Sequence, residues 1–104
     1  MRTVIETEIF QRYSASIWAD DERQQFIEWI AANPLAGDVI PGSGGLRKVR
    51  WSRSGMGKRG GARVIYYNAT SEESIWLLIA YAKAKFDNLP TTFLVQLKEE
   101  ITHG

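Results

Sequence analysis

Apolar and polar residues follow two periods along the chain, and these periods predict the order of its secondary structure. The predicted elements are a strand at residues 3–5, helices at residues 7–17 and from Asp20 to Asn33, strands at Leu46–Trp51, 63–67 and 75–81, and a helix from Thr91. This order predicts an α+β fold with a mainly antiparallel sheet, an N-terminal helical hairpin and a C-terminal helix.

Length and composition predict a single folded domain that covers residues 1–104. The chain is 44% hydrophobic and has no cysteine, so it can bury a core but offers neither disulfides nor thiolate chemistry. No run approaches the roughly 18 apolar residues of a membrane span, and no signal peptide is recognisable. We therefore expect a cytoplasmic protein that has no membrane partner.

Charge is distributed very unevenly along the chain. Residues 1–38 carry three arginines and seven acidic residues, a net −4, and residues 72–104 carry three lysines and five acidic residues, a net −2. Residues 39–71 carry seven basic residues and no acidic one, a net +7. A polyanion would be attracted to this middle third, although a solvated basic loop is the simpler explanation of charge alone.

A glycine-rich segment at residues 52–62 joins two of the predicted strands. It holds four glycines and is longer than an ordinary hairpin loop, which is typical of a functional or mobile segment. Residues 55–60 spell GMGKRG, which matches the G-x-G-x-x-G pattern of dinucleotide-binding proteins. That motif must precede a helix, whereas a β-branched and aromatic run follows here, so we expect no nucleotide cofactor.

Successive side chains of a strand point to opposite faces, and this alternation separates the basic residues of the predicted strand Leu46–Trp51. Lys48 and Arg50 share one face, and Arg47 lies on the other with apolar side chains. Arg63 opens the neighbouring strand and is expected to join Lys48 and Arg50 across the sheet. A solvated outer face is an equally acceptable explanation of this pattern.

Other candidate residues give weaker signals. Lys83 and Lys85 follow the last predicted strand and form a second basic point, while Tyr81 and Phe86 are interpreted as core residues that could otherwise stack on a base. The only histidine, His103, lies next to the C-terminus, and no acidic pair accompanies the basic region. We therefore expect no metal site and no cofactor.

Three segments together resemble a known family. Residues 37–50 read GDVIPGSGGLRKVR, residues 57–67 read GKRGGARVIYY, and residues 77–85 read LLIAYAKAK. Their order is similar to that of the HigB branch of the RelE toxin superfamily, and the similarity covers roughly residues 37–90. Residues 86–89 depart from the pattern, because they hold neither the tyrosine of RelE nor the histidines of some HigB relatives.

The resemblance implies a microbial-RNase-like fold, cleavage of mRNA in the ribosomal A site, and an antitoxin partner encoded by a neighbouring gene. It places Lys48, Arg50 and Arg63 at the catalytic positions. The further basic residues expected to bind RNA or the ribosome are Arg47, Arg53, Lys58, Arg59, Lys83 and Lys85.

Without a metal or a catalytic histidine, RNA can be cut by its own 2′-hydroxyl. We expect Arg63 to hold the phosphate in the transition state and Arg50 to assist it. Lys48 is expected to carry a proton, because neighbouring cations favour the neutral form of a lysine. Two alternatives stay open: a non-catalytic RNA- or DNA-binding module that uses the basic residues 47–63, and an interaction protein whose basic face meets an acidic partner.

Overall fold

The computed structural model of the chain describes residues 2–51, 61–82 and 89–103. The elements are β1 (Thr3–Glu6), α1 (Glu8–Ser14), α2 (Asp20–Ala32), β2 (Asp38–Val39), β3 (Leu46–Trp51), β4 (Ala62–Ala69), a 3-10 turn (Thr70–Glu72), β5 (Ser74–Ala82) and α3 (Thr91–His103). The predicted α+β class is confirmed, including the two N-terminal helices and the C-terminal helix. The two-residue strand β2 was not predicted, because it is too short to show a period.

The strands form one five-stranded sheet in the order β1-β5-β4-β3-β2. Antiparallel pairing joins β2 to β3, β3 to β4 and β4 to β5, whereas β1 runs parallel to β5. The first strand therefore enters next to the last one, and the sheet is mainly antiparallel, as expected. The alternation of side chains divides it into two faces, which we call the α2 face and the α3 face.

Each face is covered by the helix that names it. The α2 face buries Val49, Val64, Leu77 and Ala80 against the α2 residues Phe26 and Ile30. The α3 face buries Leu46, Ile65 and Ile79 against the α3 residues Leu94 and Leu97. Helix α1 lies beside β5 and contributes to both sides, with Phe10 in the first cluster and Ile9 and Tyr13 against the second.

A β-bulge interrupts the pairing of β4 with β5. Ile65 pairs with Ile79, but the next residue, Tyr66, pairs with Leu77, so that Leu78 is the extra residue. Leu78 and Ile79 consequently both lie in the cluster on the α3 face, although they are consecutive. A bulge of this kind reverses the inward and outward alternation of the strand beyond it.

Thr7 links the bulge to the start of α1. Its hydroxyl lies 2.8 Å from the carbonyl oxygen of Leu77 and 3.2 Å from that of Leu78, and it donates to this pair of acceptors. The same oxygen accepts the backbone N–H of Phe10 as the N-cap of α1. Helix α2 has no such cap, since Asp20 lies in its first turn and the N-cap residue Ala19 has no side-chain acceptor.

Tyr66 of the central strand β4 forms hydrogen bonds to the turn that follows α2. Its side chain is fully buried, and its hydroxyl donates to the Pro34 carbonyl oxygen at 2.8 Å and accepts the Gly37 N–H at 2.9 Å. Burial raises the pKa of the Tyr66 phenol above its usual value of 10.0, and the Gly37 hydrogen bond opposes this rise. The hydroxyl is therefore neutral at physiological pH and serves both partners.

Tyr66→Phe should lower the free energy of unfolding by about 1–3 kcal/mol, because it leaves two backbone groups without their partner. The raised pKa means that the folded state favours the neutral Tyr66 phenol. Its contribution to the free energy of unfolding is therefore complete below about pH 10 and is lost as the pH rises further. Urea denaturation at pH 7 and above pH 10 should show a smaller alkaline loss in Tyr66→Phe than in the wild type. Tyr13→Phe, at a half-buried tyrosine of α1, is the control; an equal loss of stability in both variants would contradict the prediction.

Candidate nucleic-acid interface

Three side chains form a row across the α3 face at one end of the sheet. The register places Arg50 of β3 directly opposite Arg63 of β4, and Arg63 directly opposite Tyr81 of β5. Directly paired residues in an antiparallel sheet project to the same side, so all three lie on one surface. Lys48 lies on the same face one row away, opposite Ile65. The structure therefore places Lys48, Arg50 and Arg63 on one face of the sheet, as the sequence predicts.

Helix α3 packs on this same face. Leu94 and Leu97 belong to one cluster with Leu46, Ile65 and Tyr81, the buried member of the row. Lys98 anchors the helix there, since its Nζ donates to the Gly44 carbonyl oxygen at 2.7 Å and lies 4.9 Å from the centre of the Tyr67 ring. Exposure differs along the row, since Arg50 is exposed, Arg63 is half-buried and Tyr81 is buried in the cluster that contains Leu94 and Leu97.

Arg63 and Arg50 differ in exposure. Arg63 is half-buried, and its Nη1 atom is buried without a hydrogen-bond partner in the described parts of the chain. Arg50 is exposed, and its Nε would lie 3.1 Å from a Cβ added to Gly61, so the Arg50 side chain lies over this glycine. A buried guanidinium N–H without a partner favours an anion, and a second arginine directly opposite in the sheet adds positive charge on the same face.

Tyr81 was interpreted as a core residue, and only 2% of its surface is exposed. Burial raises the pKa of its phenol, and the positive charge of Arg63 acts in the opposite direction, so the hydroxyl lies within electrostatic reach of that guanidinium. Its place beside Arg63 was missed by the sequence analysis. Nothing in the alternation of residues 75–81 reveals the bulge that turns Tyr81 to this side.

The other basic residues that the sequence singled out do not join this row in the described structure. Arg47 lies in register with Tyr66 on the α2 face, and its Nη1 donates to the Gly37 carbonyl oxygen at 2.6 Å. This contact ties β3 to the turn before β2. The remaining predicted RNA-binding residues lie outside the described residues: Arg53, Lys58, Arg59, Lys83 and Lys85. The same holds for most of the glycine-rich segment, except for Gly61 and for Ala62, which is already part of β4.

Neither a metal cluster nor a membrane span is found within the described ranges. No three His, Cys, Asp or Glu side chains of residues 2–51, 61–82 and 89–100 converge as metal ligands would. In the same part of the chain, no helix is long and apolar enough to cross a membrane.

Comparison with known proteins identifies the fold. No family model matches the sequence. The structure is similar to that of a mutant of the E. coli toxin RelE in its free state, with a TM-score of 0.61 and 9% sequence identity. The similarity covers 93% of this chain and 96% of the RelE chain. The chain has a RelE-like fold. The similarity at 9% identity is one of architecture, because a fold by itself does not specify chemistry.

Gly61→Ala should weaken the binding of a short single-stranded RNA by roughly threefold to tenfold, because the new methyl group displaces the Arg50 side chain. Gly61 directly precedes β4, and circular dichroism should show that the Gly61→Ala variant keeps the fold. Fluorescence anisotropy over a range of salt concentrations measures the affinity. In an Arg50→Ala background the Gly61 substitution should have no further effect; an undiminished loss there would show that it does not act through Arg50.

Proposed function

We propose that this chain is the toxin of a toxin–antitoxin pair and acts as a metal-independent endoribonuclease on messenger RNA. The observation that carries the proposal is the pairing of Arg50 with Arg63 on a RelE-like sheet, with Lys48 one row away. The toxin named in the structural comparison supports the biological class. The sequence resemblance described above supports the finer assignment to the HigB branch and to mRNA on the ribosome.

The proposed reaction is an intramolecular transesterification at one phosphodiester of the RNA. The 2′-oxygen loses its proton and attacks the adjacent phosphorus, and the bond from phosphorus to the 5′-oxygen breaks as that oxygen gains a proton. The products are a 2′,3′-cyclic phosphate and a free 5′-hydroxyl. Negative charge on the non-bridging phosphate oxygens grows in the transition state, and fixed cations stabilise it.

The roles of the residues follow from their positions. Arg63 is held in the sheet and half-buried, so it is suited to hold two phosphate oxygens in a fixed geometry. Arg50, which is exposed, adds a second guanidinium next to it and contributes mainly to binding. Lys48 is the residue on this face that we assign to proton transfer. The ribosome presents the mRNA and supplies whatever distortion of the strand the reaction needs.

Mapping the 5′ ends of mRNA after incubation of the protein with translating ribosomes tests the proposal. New 5′-hydroxyl ends within codons are expected, and they should form in the presence of a metal chelator that leaves the ribosomes intact. Salt-sensitive RNA binding without any new ends would favour the non-catalytic binding module instead. Neither binding nor cleavage would favour a protein whose basic face meets an acidic partner.

Substitutions of Arg63 and Lys48 test the phosphate-holding and proton-transfer roles in the same cleavage assay. Arg63→Ala should lower the cleavage rate by roughly 10²–10³. Arg63→Lys should resemble Arg63→Ala more than the wild type, because it keeps the charge but loses the two-pronged geometry. Arg12→Ala removes an exposed arginine of α1 and is the matched control for charge. Normal cleavage by both Arg63→Ala and Lys48→Ala would refute the assignment of the site.

We also propose an acidic antitoxin as the partner that covers the basic row. A cell that makes an mRNA nuclease requires an inhibitor, and the +7 charge of residues 39–71 gives an acidic segment a surface to bind. Expression with the neighbouring gene should yield a complex that co-purifies and lacks nuclease activity. Expression of this chain alone should arrest growth, and its accumulation to high level in growing cells would contradict toxicity.

A further inference from the structure

We infer that Tyr81 is a positioning residue for Arg63: it holds the guanidinium in the orientation in which it meets the phosphate. The inference rests on the proposed function and adds a residue to it. Tyr81 is 2% exposed, so it lies too deep to take part as a group that contacts RNA. Its effect on the reaction therefore passes through Arg63, the residue directly opposite it in the sheet.

The β-bulge is what brings Tyr81 to Arg63. Ile75 and Leu77 belong to the cluster on the α2 face, and uninterrupted alternation would place Tyr81 there as well. Because Leu78 is an extra residue, the alternation reverses, and Tyr81 belongs to the cluster on the α3 face. Bulges occur next to active sites where they re-aim a side chain. This bulge directs the side chain of Tyr81 to the face that carries Arg63.

The bulge is supported by specific contacts. Besides the hydrogen bonds from the Thr7 hydroxyl, the backbone N–H of Thr7 donates to the Leu77 carbonyl oxygen at 3.2 Å. These bonds satisfy acceptors that the irregular pairing of β4 and β5 would leave exposed in the core. The orientation of Tyr81 is thus fixed by backbone geometry and not only by the packing of its ring.

The chemistry of a buried tyrosine suits this role. Because burial raises the pKa of Tyr81, its hydroxyl is neutral at physiological pH, and the positive charge of Arg63, directly opposite in the sheet, acts on it. Arg63 is half-buried, and a half-buried guanidinium needs such neighbours to stay in one orientation. Positive charge alone would still attract RNA, but the orientation of the fork determines how well it matches the transition state.

Tyr81→Phe is the first test, with ribosome-bound mRNA as substrate. It should lower kcat by about 10- to 100-fold and change KM by less than about twofold, since the charge that binds RNA is retained. Tyr67→Phe is the matched control, a tyrosine on the same face that lies beside Lys98 and should leave both constants unchanged. Unchanged kcat in a folded Tyr81→Phe variant would overturn the inference while wild-type cleavage still upholds the proposed function.

A double-mutant cycle tests whether Tyr81 acts through Arg63. In an Arg63→Lys background, Tyr81→Phe should lower the rate by less than about threefold, because the geometry that Tyr81 maintains is already lost. A further 10- to 100-fold loss would show that Tyr81 acts independently and would overturn the positioning role. Failure of the wild-type protein to cut any mRNA is a different result, and it would refute the proposed function itself.

The absorbance of ionised tyrosine at alkaline pH provides a readout that is independent of cleavage. Arg63→Gln should raise the pKa of one tyrosine further, because the charge that lowers it is removed, and Tyr81→Phe should abolish that titration. This measurement remains decisive if Tyr81→Phe loses stability, because the Arg63→Gln protein retains Tyr81. An identical titration of the wild type and Arg63→Gln would overturn the proximity on which the inference depends.

Discussion

The register between β3 and β4 is the constraint on which the rest of the site depends. On the α2 face it aligns Val49 with Val64, and both are buried beneath α2. The same register then places Arg50 opposite Arg63 on the other side of the sheet. A slip of β3 by one residue would turn Arg50 towards the core and away from Arg63, so the packing of Val49 against Val64 helps to maintain the pairing of the two cations.

Like charges directly opposite one another weaken a sheet, and a protein selected for stability alone would avoid this pairing. Burial of β4 and β5 along most of their length offsets the free-energy cost of this repulsion. Local features that reduce stability without a compensating contact are typical of functional sites. A bound anion would reduce this repulsion, which agrees with the phosphate-holding role proposed for Arg50 and Arg63.

The sequence was sufficient to predict four of the five strands, the helices and the grouping of Lys48, Arg50 and Arg63, because each depends on periods that residues display directly. It was not sufficient for Tyr81, because a bulge at Leu78 changes the side of the strand without changing its composition. The structural role of Arg47 was also missed. Its bond to a backbone carbonyl depends on a turn whose path is set by tertiary contacts and not by local pattern.

For the proposed nuclease, the small extent of the basic group limits how much RNA it can contact. Lys48, Arg50 and Arg63 occupy one row of the sheet and its neighbour, beside the cluster that α3 forms with Leu46 and Ile65. Strands lie about 4.8 Å apart and alternate residues about 7 Å apart, which gives a patch roughly the size of a single phosphodiester. In the proposed reaction a patch of this size contacts one phosphodiester and not a whole codon, so any choice of codon would come from the ribosome that presents the mRNA.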